Sequence, residues 1–599
     1  MKFLGRRIIV RVGAASSALV LAATGLVAGP VVAQVAAPVD CPEIRPTPTP
    51  EEVATGITGT GFTVSEGTEP DPFDVEVLGV LENGVAPGRD MIVVETSSEA
   101  IDEAGGIWFG MSGSPVYDDT GRLMGAVAFG LSGGPSDIGG LTPAQDMAEL
   151  LDYPSGLAST AARSVALSGG LERRVAEREG GARTDFTLRR LRAPLSVSGL
   201  TQRGLDVLQK AIRKEGGKYL VTQGSSARAA EPGSELATVG AGDTFAAAMS
   251  YGDITVGGIG TTALVCDGQA VAFGHPFSWT GRTELGANQG VTHTIVDDGL
   301  FGPYKLASIT EPVGIVDQDR LAGIRGILGS APELRDINSS VSAPDIGRAG
   351  DGSSQAVTDD IVPVLGFNHL FSNIDSTFDS IGEGHSRVAW TVTGLTEAGE
   401  PWSLSRSNLY SSGFDISIES SFEVFNQLSR LLNNRFTEID FTSVELDATV
   451  EEGRSGYQIR KVLHKTREGD FIGGRRIRVR PGSILTLRVD LQSLGDGPHE
   501  EVKLKVNVPR NFRSGFLEVQ GGSSSGSFFC FEDLGPCSSR TGKVGSFDEL
   551  IDSLEKAPKG NDLSATLSMR GSKKERTDTA RLDGVVGGFR FLLVRSTGA

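Results

Sequence analysis

The residues Gly110-Met111-Ser112-Gly113-Ser114-Pro115 hold the groups needed to attack a carbonyl carbon. A serine hydroxyl is a weak nucleophile. It needs a base to take its proton and N–H donors to hold the developing oxyanion. Gly110 lets the chain turn tightly, so the amides of Gly110 and Ser112 can face one small space. Gly113 removes bulk behind Ser112, and Pro115 fixes the exit into the following strand. Ser112 is therefore the candidate nucleophile, and the Gly110 and Ser112 amides are the candidate oxyanion hole. Ser114 is expected to support the loop rather than react. With 80 glycines in the chain, an ordinary Gly/Ser turn is the competing reading. The full six-residue pattern inside a hairpin weighs against it.

The base has to come from elsewhere in the chain. Of the six histidines, His275 stands at the end of the run Ala270-Val271-Ala272-Phe273, between Gly274 and Pro276. Glycine and proline on either side demand a defined backbone path, which suits presenting one side chain at a site. His275 is the candidate general base, and His293, in mid-strand, is expected to be structural. Cys41, Cys266, Cys530 and Cys537 lack zinc-type spacing, so neither metal nor cofactor is expected. Cys530 and Cys537 close a short loop suited to a disulfide in an oxidising compartment. Cys41 and Cys266 can pair only if folding brings them together.

The elements that must position these groups read as strands. Phe73–Leu81 alternates, Asp90–Val94 is apolar, and Pro115–Tyr117 returns as Leu123–Phe129 after Asp118-Asp119-Thr120-Gly121. That hairpin places Ser112 in the irregular segment just before its first strand. A short helix is expected from Thr142-Pro143 to Leu151, and another over Leu205–Ile212. Residues 155–190 are rich in Ala, Gly and Arg and read as a mobile connector. A β pattern resumes from Leu236, with Ile254–Val265 leading through Asp267-Gly268 into the His275 strand. One amphipathic helix is predicted from Ser420, with Ser420 and Glu423 as its capping box. Arg476–Arg480 and Leu485–Leu491 read as a hairpin of a C-terminal β-sandwich. The arginine stripe reads as the solvated face of an edge strand.

The first residues read as an export signal: Lys2, Arg6, Arg7 and Arg11, then an apolar small-residue run with cleavage sites near Ala33 and Ala37. A retained anchor is the alternative, but Gly13, Gly25 and Gly29-Pro30 interrupt the run. No other stretch is apolar enough to span a bilayer, so no span is expected after signal cleavage. Losing four cations and no anion takes the net charge from −19 to −23. Such acidity repels nucleic acid and anionic lipid, which excludes both as general partners. The expected partner is a protein or peptide substrate, and the expected location is secreted or associated with the cell envelope.

Gly105-Gly106-Ile107, the Ser112 loop and Gly125-Ala126-Val127 together resemble the sporulation factor IV B peptidases, peptidase family S55. Ala272-Phe273-Gly274-His275 resembles the histidine segment of that family. The resemblance covers roughly residues 55–345 in two separated blocks. It implies a serine endopeptidase of trypsin-like fold, with Ser112 as nucleophile and His275 as general base. In that family the histidine block precedes the serine block, and here the order is reversed. A rearranged barrel still permits the pair, because such sites are defined by geometry and not by chain order. The family's aspartate has no clear equivalent upstream of Ser112, where Glu99 and Asp102 are the candidates.

The expected fold is mainly β: a trypsin-like (chymotrypsin-type) β-barrel peptidase region followed by a β-sandwich-like C-terminal domain. The expected divisions are a signal peptide (1–37), a linker (38–54) and the serine-loop half of the peptidase region (55–154). A connector with a helix (155–235) leads to the histidine half (236–345). A β-rich domain with one helix (346–455) and the sandwich-like domain (456–599) complete the chain. The expected activity is that of an exported serine endopeptidase acting through an acyl-enzyme. The alternative is a catalytically inactive, peptidase-like peptide-binding or cell-surface protein.

Overall fold

Alternating apolar and polar residues give Thr58–Thr63 and Asp71–Ala86 one buried and one exposed face over much of their length, and these strands begin a closed barrel. The structure is a computed structural model. It describes residues 41–599 except 133, 154–163, 168, 180–185, 215–218, 232, 300–301, 496, 523–543, 573 and 598–599. The expected export signal and the expected Cys530–Cys537 bridge therefore lie outside the described residues.

The first barrel is built from β1 (Thr58–Thr63), β2 (Asp71–Ala86), β3 (Arg89–Ser97), β4 (Pro115–Asp118), β5 (Leu123–Leu131) and β6 (Ile138–Pro143). β4 pairs with both β1 and β5, which closes the ring β4-β1-β2-β3-β6-β5. Its core holds Val75, Val77, Ile92, Val94, Trp108, Met111 and Val127. Two short helices flank it, α1 (Pro50–Ala54) and α2 (Glu99–Ala104). The helix expected after Pro143 is present as α3 (Ala144–Ala148).

The stretch read as a mobile connector is structured where it is described. It forms β7 (Ser164–Ala166), α4 (Gly169–Arg178) and β8 (Thr187–Arg190), and β8 pairs with β5 at the side of the barrel. Leu171 and Val175 of α4 are buried against Leu78, Leu167 and Leu188. Those two apolar residues, one turn apart in a charged segment, are what the composition hid.

The chain continues through β9 (Ala193–Val197), α5 (Gln202–Lys214) and β10 (Tyr219–Gln223) into a second closed barrel. Its strands are β11 (Thr244–Gly252), β12 (Val256–Cys266), β13 (Gln269–Ala272), β14 (Gly281–Val296), β15 (Tyr304–Arg320) and β16 (Gly323–Leu328). They close as β11-β12-β13-β16-β15-β14, through the β11–β12 and β11–β14 pairings. The mainly β, trypsin-like barrel expectation agrees with this architecture.

Beyond the barrels, β11 pairs with Arg348–Ala356 and so extends the sheet into strands 335–343, 439–452, 384–396 and 401–412. Residues 346–455 contribute two helices that pack against this extension, not one: α6 (Val362–Phe378) and α7 (Ile416–Leu432). α6 was missed because it is buried almost all round and lacks a polar stripe. α7 begins four residues before the predicted start. Asp415 caps it by accepting from the Ile418 amide, and Ser420 lies inside it, its hydroxyl donating to the Ile416 carbonyl at 2.6 Å.

The C-terminal residues form two five-stranded sheets around one core that includes Leu487, Val489, Leu504, Leu517 and Leu563. The predicted Arg476–Leu491 hairpin is not formed. Strand Arg476–Val479 pairs with Phe589–Ser596 in one sheet, and Ile484–Ser493 pairs in the other. The Pro481-Gly482 turn therefore carries the chain across the sandwich. Arg476 and Arg478 are exposed on an edge strand, as their alternation predicted.

A covalent strap spans the two barrels. Cys41 is disulfide-bonded to Cys266 at the end of β12, and the Glu43–Arg45 backbone exchanges hydrogen bonds with Leu123 of β5, both at 2.8 Å. Residues 41 and 266 are 225 positions apart in sequence, so the bond removes much freedom from the unfolded chain. The double variant Cys41→Ala/Cys266→Ala is expected to lose about 2–4 kcal/mol of unfolding free energy in urea titrations. An unchanged midpoint would contradict the strap.

Candidate functional site

Two successive turns build the Ser112 loop. The Met111 amide donates to the Trp108 carbonyl at 3.2 Å, and the Ser114 amide donates to the Met111 carbonyl at 3.0 Å. Gly110 and Gly113 take the third position of each turn, with φ of 96° and 95°. That left-handed geometry strains any side-chain-bearing residue. Ser114 is buried and its hydroxyl donates to the Met111 carbonyl at 2.7 Å, the supporting part expected of it.

The loop sits where the barrels meet. Gly113 donates to Val127 of β5 at 2.7 Å, inside the first barrel. On the other side, the Thr261 amide of β12 donates to the Ser112 carbonyl at 2.8 Å. The Thr261 hydroxyl donates to the Gly110 carbonyl at 3.3 Å. A Cβ at Gly113 would lie 1.9 Å from the Thr261 carbonyl oxygen, so only glycine permits this approach.

His275 arrives from the second barrel. Phe273 and Gly274 both adopt left-handed backbone, with φ of 70° and 64°, just after β13 ends. For a bulky residue such as Phe273 this conformation costs on the order of 1–3 kcal/mol and persists only where its surroundings enforce it. Here the Phe273 ring packs edge-on to Phe245 and Phe277 and lies over Gly260, where a Cβ would come within 2.3 Å of it. Thr142 of the first barrel donates its hydroxyl to the Gly274 carbonyl at 2.6 Å. Each barrel thus holds the loop presented by the other.

The two side chains meet. His275 Nε2 lies 2.9 Å from Ser112 Oγ, across 163 residues of sequence. His275 Nδ1 lies 2.9 Å from the Pro276 carbonyl oxygen. A carbonyl can only accept, so Nδ1 carries the proton and Nε2 is left bare to accept from the serine hydroxyl. Ser112 is fully buried and His275 is 2% exposed. Burial holds the imidazole far below its ordinary pKa, down to about 3, and the Arg190 charge pushes the same way. The Gly110 and Ser112 amides have no hydrogen-bond acceptor among the described residues, and both lie buried in the loop.

Other candidates fall elsewhere. Glu99 and Asp102 are exposed on α2, and neither bonds His275. His293 bonds Ser308 within the second barrel, with its Nε2 2.7 Å from Ser308 Oγ. Sequence reading missed Asp319 at the end of β15, one acid among many. Its buried carboxylate accepts from the amides of Phe277, Ser278, Trp279 and Thr280, the residues that follow Pro276.

Two outcomes follow from this geometry. Gly121 also has positive φ, but a Cβ there meets open space. Gly113→Ala is therefore expected to lower the melting temperature by several degrees more than Gly121→Ala, and equal losses would contradict the inter-barrel contact. With His275 neutral down to a low pH, any reaction it assists as a base should keep a constant rate from about pH 8 to about pH 5. A fall centred near the unperturbed value of about 6.5 would contradict that environment.

No curated protein and no solved structure matches the chain. The matched family segment contains the Ser112 loop and ends well before His275. Residues 29–140 are similar to the SpoIVB peptidase S55 family, a family of serine peptidases.

Proposed function

We propose that the protein is an exported serine endopeptidase of the S55 type, acting on a small set of protein or peptide substrates. The 2.9 Å contact between Ser112 Oγ and His275 Nε2 carries this reading. Ser112 is the nucleophile and His275 the general base. As Oγ attacks the scissile carbonyl, its proton passes to Nε2, and the Gly110 and Ser112 amides receive the oxyanion. The protonated imidazole then gives the proton to the leaving amine. Water completes the cycle by hydrolysing the acyl-enzyme, again with His275 as base.

The site departs from a Ser-His-Asp triad at one atom. Nδ1–H donates to the uncharged Pro276 carbonyl and not to a carboxylate. A carbonyl fixes the tautomer but stabilises the imidazolium less than a full negative charge does. Together with burial of both side chains, this predicts slow turnover and entry of substrate only after a local opening. The same features favour the second reading, a peptidase-like binding module without turnover.

A fluorophosphonate probe separates the two. The wild-type protein is expected to label covalently, Ser112→Ala to lose all labelling, and His275→Ala to label at least about 10²-fold more slowly. Folded wild-type protein that does not label would overturn the enzyme reading in favour of the binding module.

A further inference from the structure

Asp319 is buried at 1% exposure, yet it makes no ion pair among the described residues. A buried carboxylate without a cationic partner is costly unless donors surround it. Its donors among the described residues come from one stretch of backbone. The Phe277 amide donates to Oδ1 at 2.9 Å. The amides of Ser278, Trp279 and Thr280 donate to Oδ2 at 2.7, 2.5 and 3.4 Å. Four consecutive N–H groups can converge on one carboxylate only if the chain curls around it. Trp279 accordingly takes left-handed backbone, with φ of 64°. Burial pushes the Asp319 pKa up, and the four amides pull against it.

This curl begins immediately after Pro276, whose carbonyl is the sole hydrogen-bond partner of His275 Nδ1 among the described residues. A rotation of that carbonyl would release the tautomer and uncouple Nε2 from Ser112. Phe277, anchored by its amide on Asp319, also places its ring against Phe273 at 5.9 Å and against Tyr219 at 5.2 Å. The loop is thus fixed from both ends.

We infer that Asp319 is a positioning residue for His275: it never touches the imidazole, but it holds the 276–280 loop so that the Pro276 carbonyl fixes the Nδ1–H tautomer. This differs from the part of a triad aspartate, which contacts the ring itself. It rests on the assignment of Ser112 and His275 given above.

The test uses the full-length protein and a readout that does not need activity. In Asp319→Asn the side-chain NH2 opposes at least one of the loop's N–H groups, because two oxygens become one. With the imidazoles labelled with 15N, wild type is expected to show a protected His275 Nδ1–H signal, assigned by its loss in His275→Ala and its persistence in Ser112→Ala. Asp319→Asn is expected to lose that signal, or bring it into fast exchange with water, while barrel-core amides stay protected. Fluorophosphonate labelling should fall about 10²-fold, in keeping with a misplaced base. A preserved Nδ1–H signal in folded Asp319→Asn would overturn the inference. If that variant does not fold, Asp319→Glu, which keeps the charge but shifts the carboxylate, is read the same way. In the wild type itself, the Ser278 and Trp279 amides must exchange as slowly as those of the barrel core, and fast exchange would overturn the inference without any variant. Wild type that shows the protected signal but never labels would sink the peptidase reading and leave the positioning role standing.

Discussion

Everything at the site depends on one backbone contact between the barrels, the Thr261 amide of β12 donating to the Ser112 carbonyl. It fixes the peptide unit of Ser112 to the barrel that carries His275. The contact is possible only because Gly113 presents no Cβ to the Thr261 carbonyl. Thr142 answers from the other side by holding the Gly274 carbonyl beside His275. The Cys41–Cys266 strap ties the same two barrels covalently. Three connections of different chemistry thus converge on keeping one oxygen and one nitrogen within hydrogen-bond reach.

Dividing Ser112 and His275 between two closed barrels makes chain order irrelevant to the geometry. The serine comes from the first barrel and the histidine from the second, 163 residues later in the chain. What matters chemically is the tautomer and the environment. A backbone carbonyl sets the first, and burial sets the second by keeping the imidazole neutral. Both are properties of the loop 273–280, whose left-handed residues at Phe273, Gly274 and Trp279 give it a path that ordinary strand geometry does not. The aromatic rings at 273 and 277 hold that path in place, and the glycines of β12 make room for them.

Much of this was legible in the sequence. The Gly-x-Ser-Gly pattern located the loop because its two turns demand glycine at defined positions. Gly274 and Pro276 marked His275 for the same reason. The mainly β architecture followed from alternation and turn residues. What could not be read were relations between distant residues. Nothing near Thr261 or Asp319 announces a partner that folding alone supplies. Cys41 could not be assigned to Cys266 for the same reason. Helix α6 escaped because a helix buried all round has no amphipathic signature. The false hairpin at 476–491 arose because alternation and a Pro-Gly turn look the same whether the chain returns in one sheet or crosses to another.

Under the proposed function, Ser112 Oγ is the reactive atom of this two-barrel site. Peptide mapping by mass spectrometry of protein inhibited with a fluorophosphonate tests it most directly. A single phosphonyl adduct is predicted, located on Ser112 and not on its neighbour Ser114. An adduct on Ser114 or on any other residue would contradict the account.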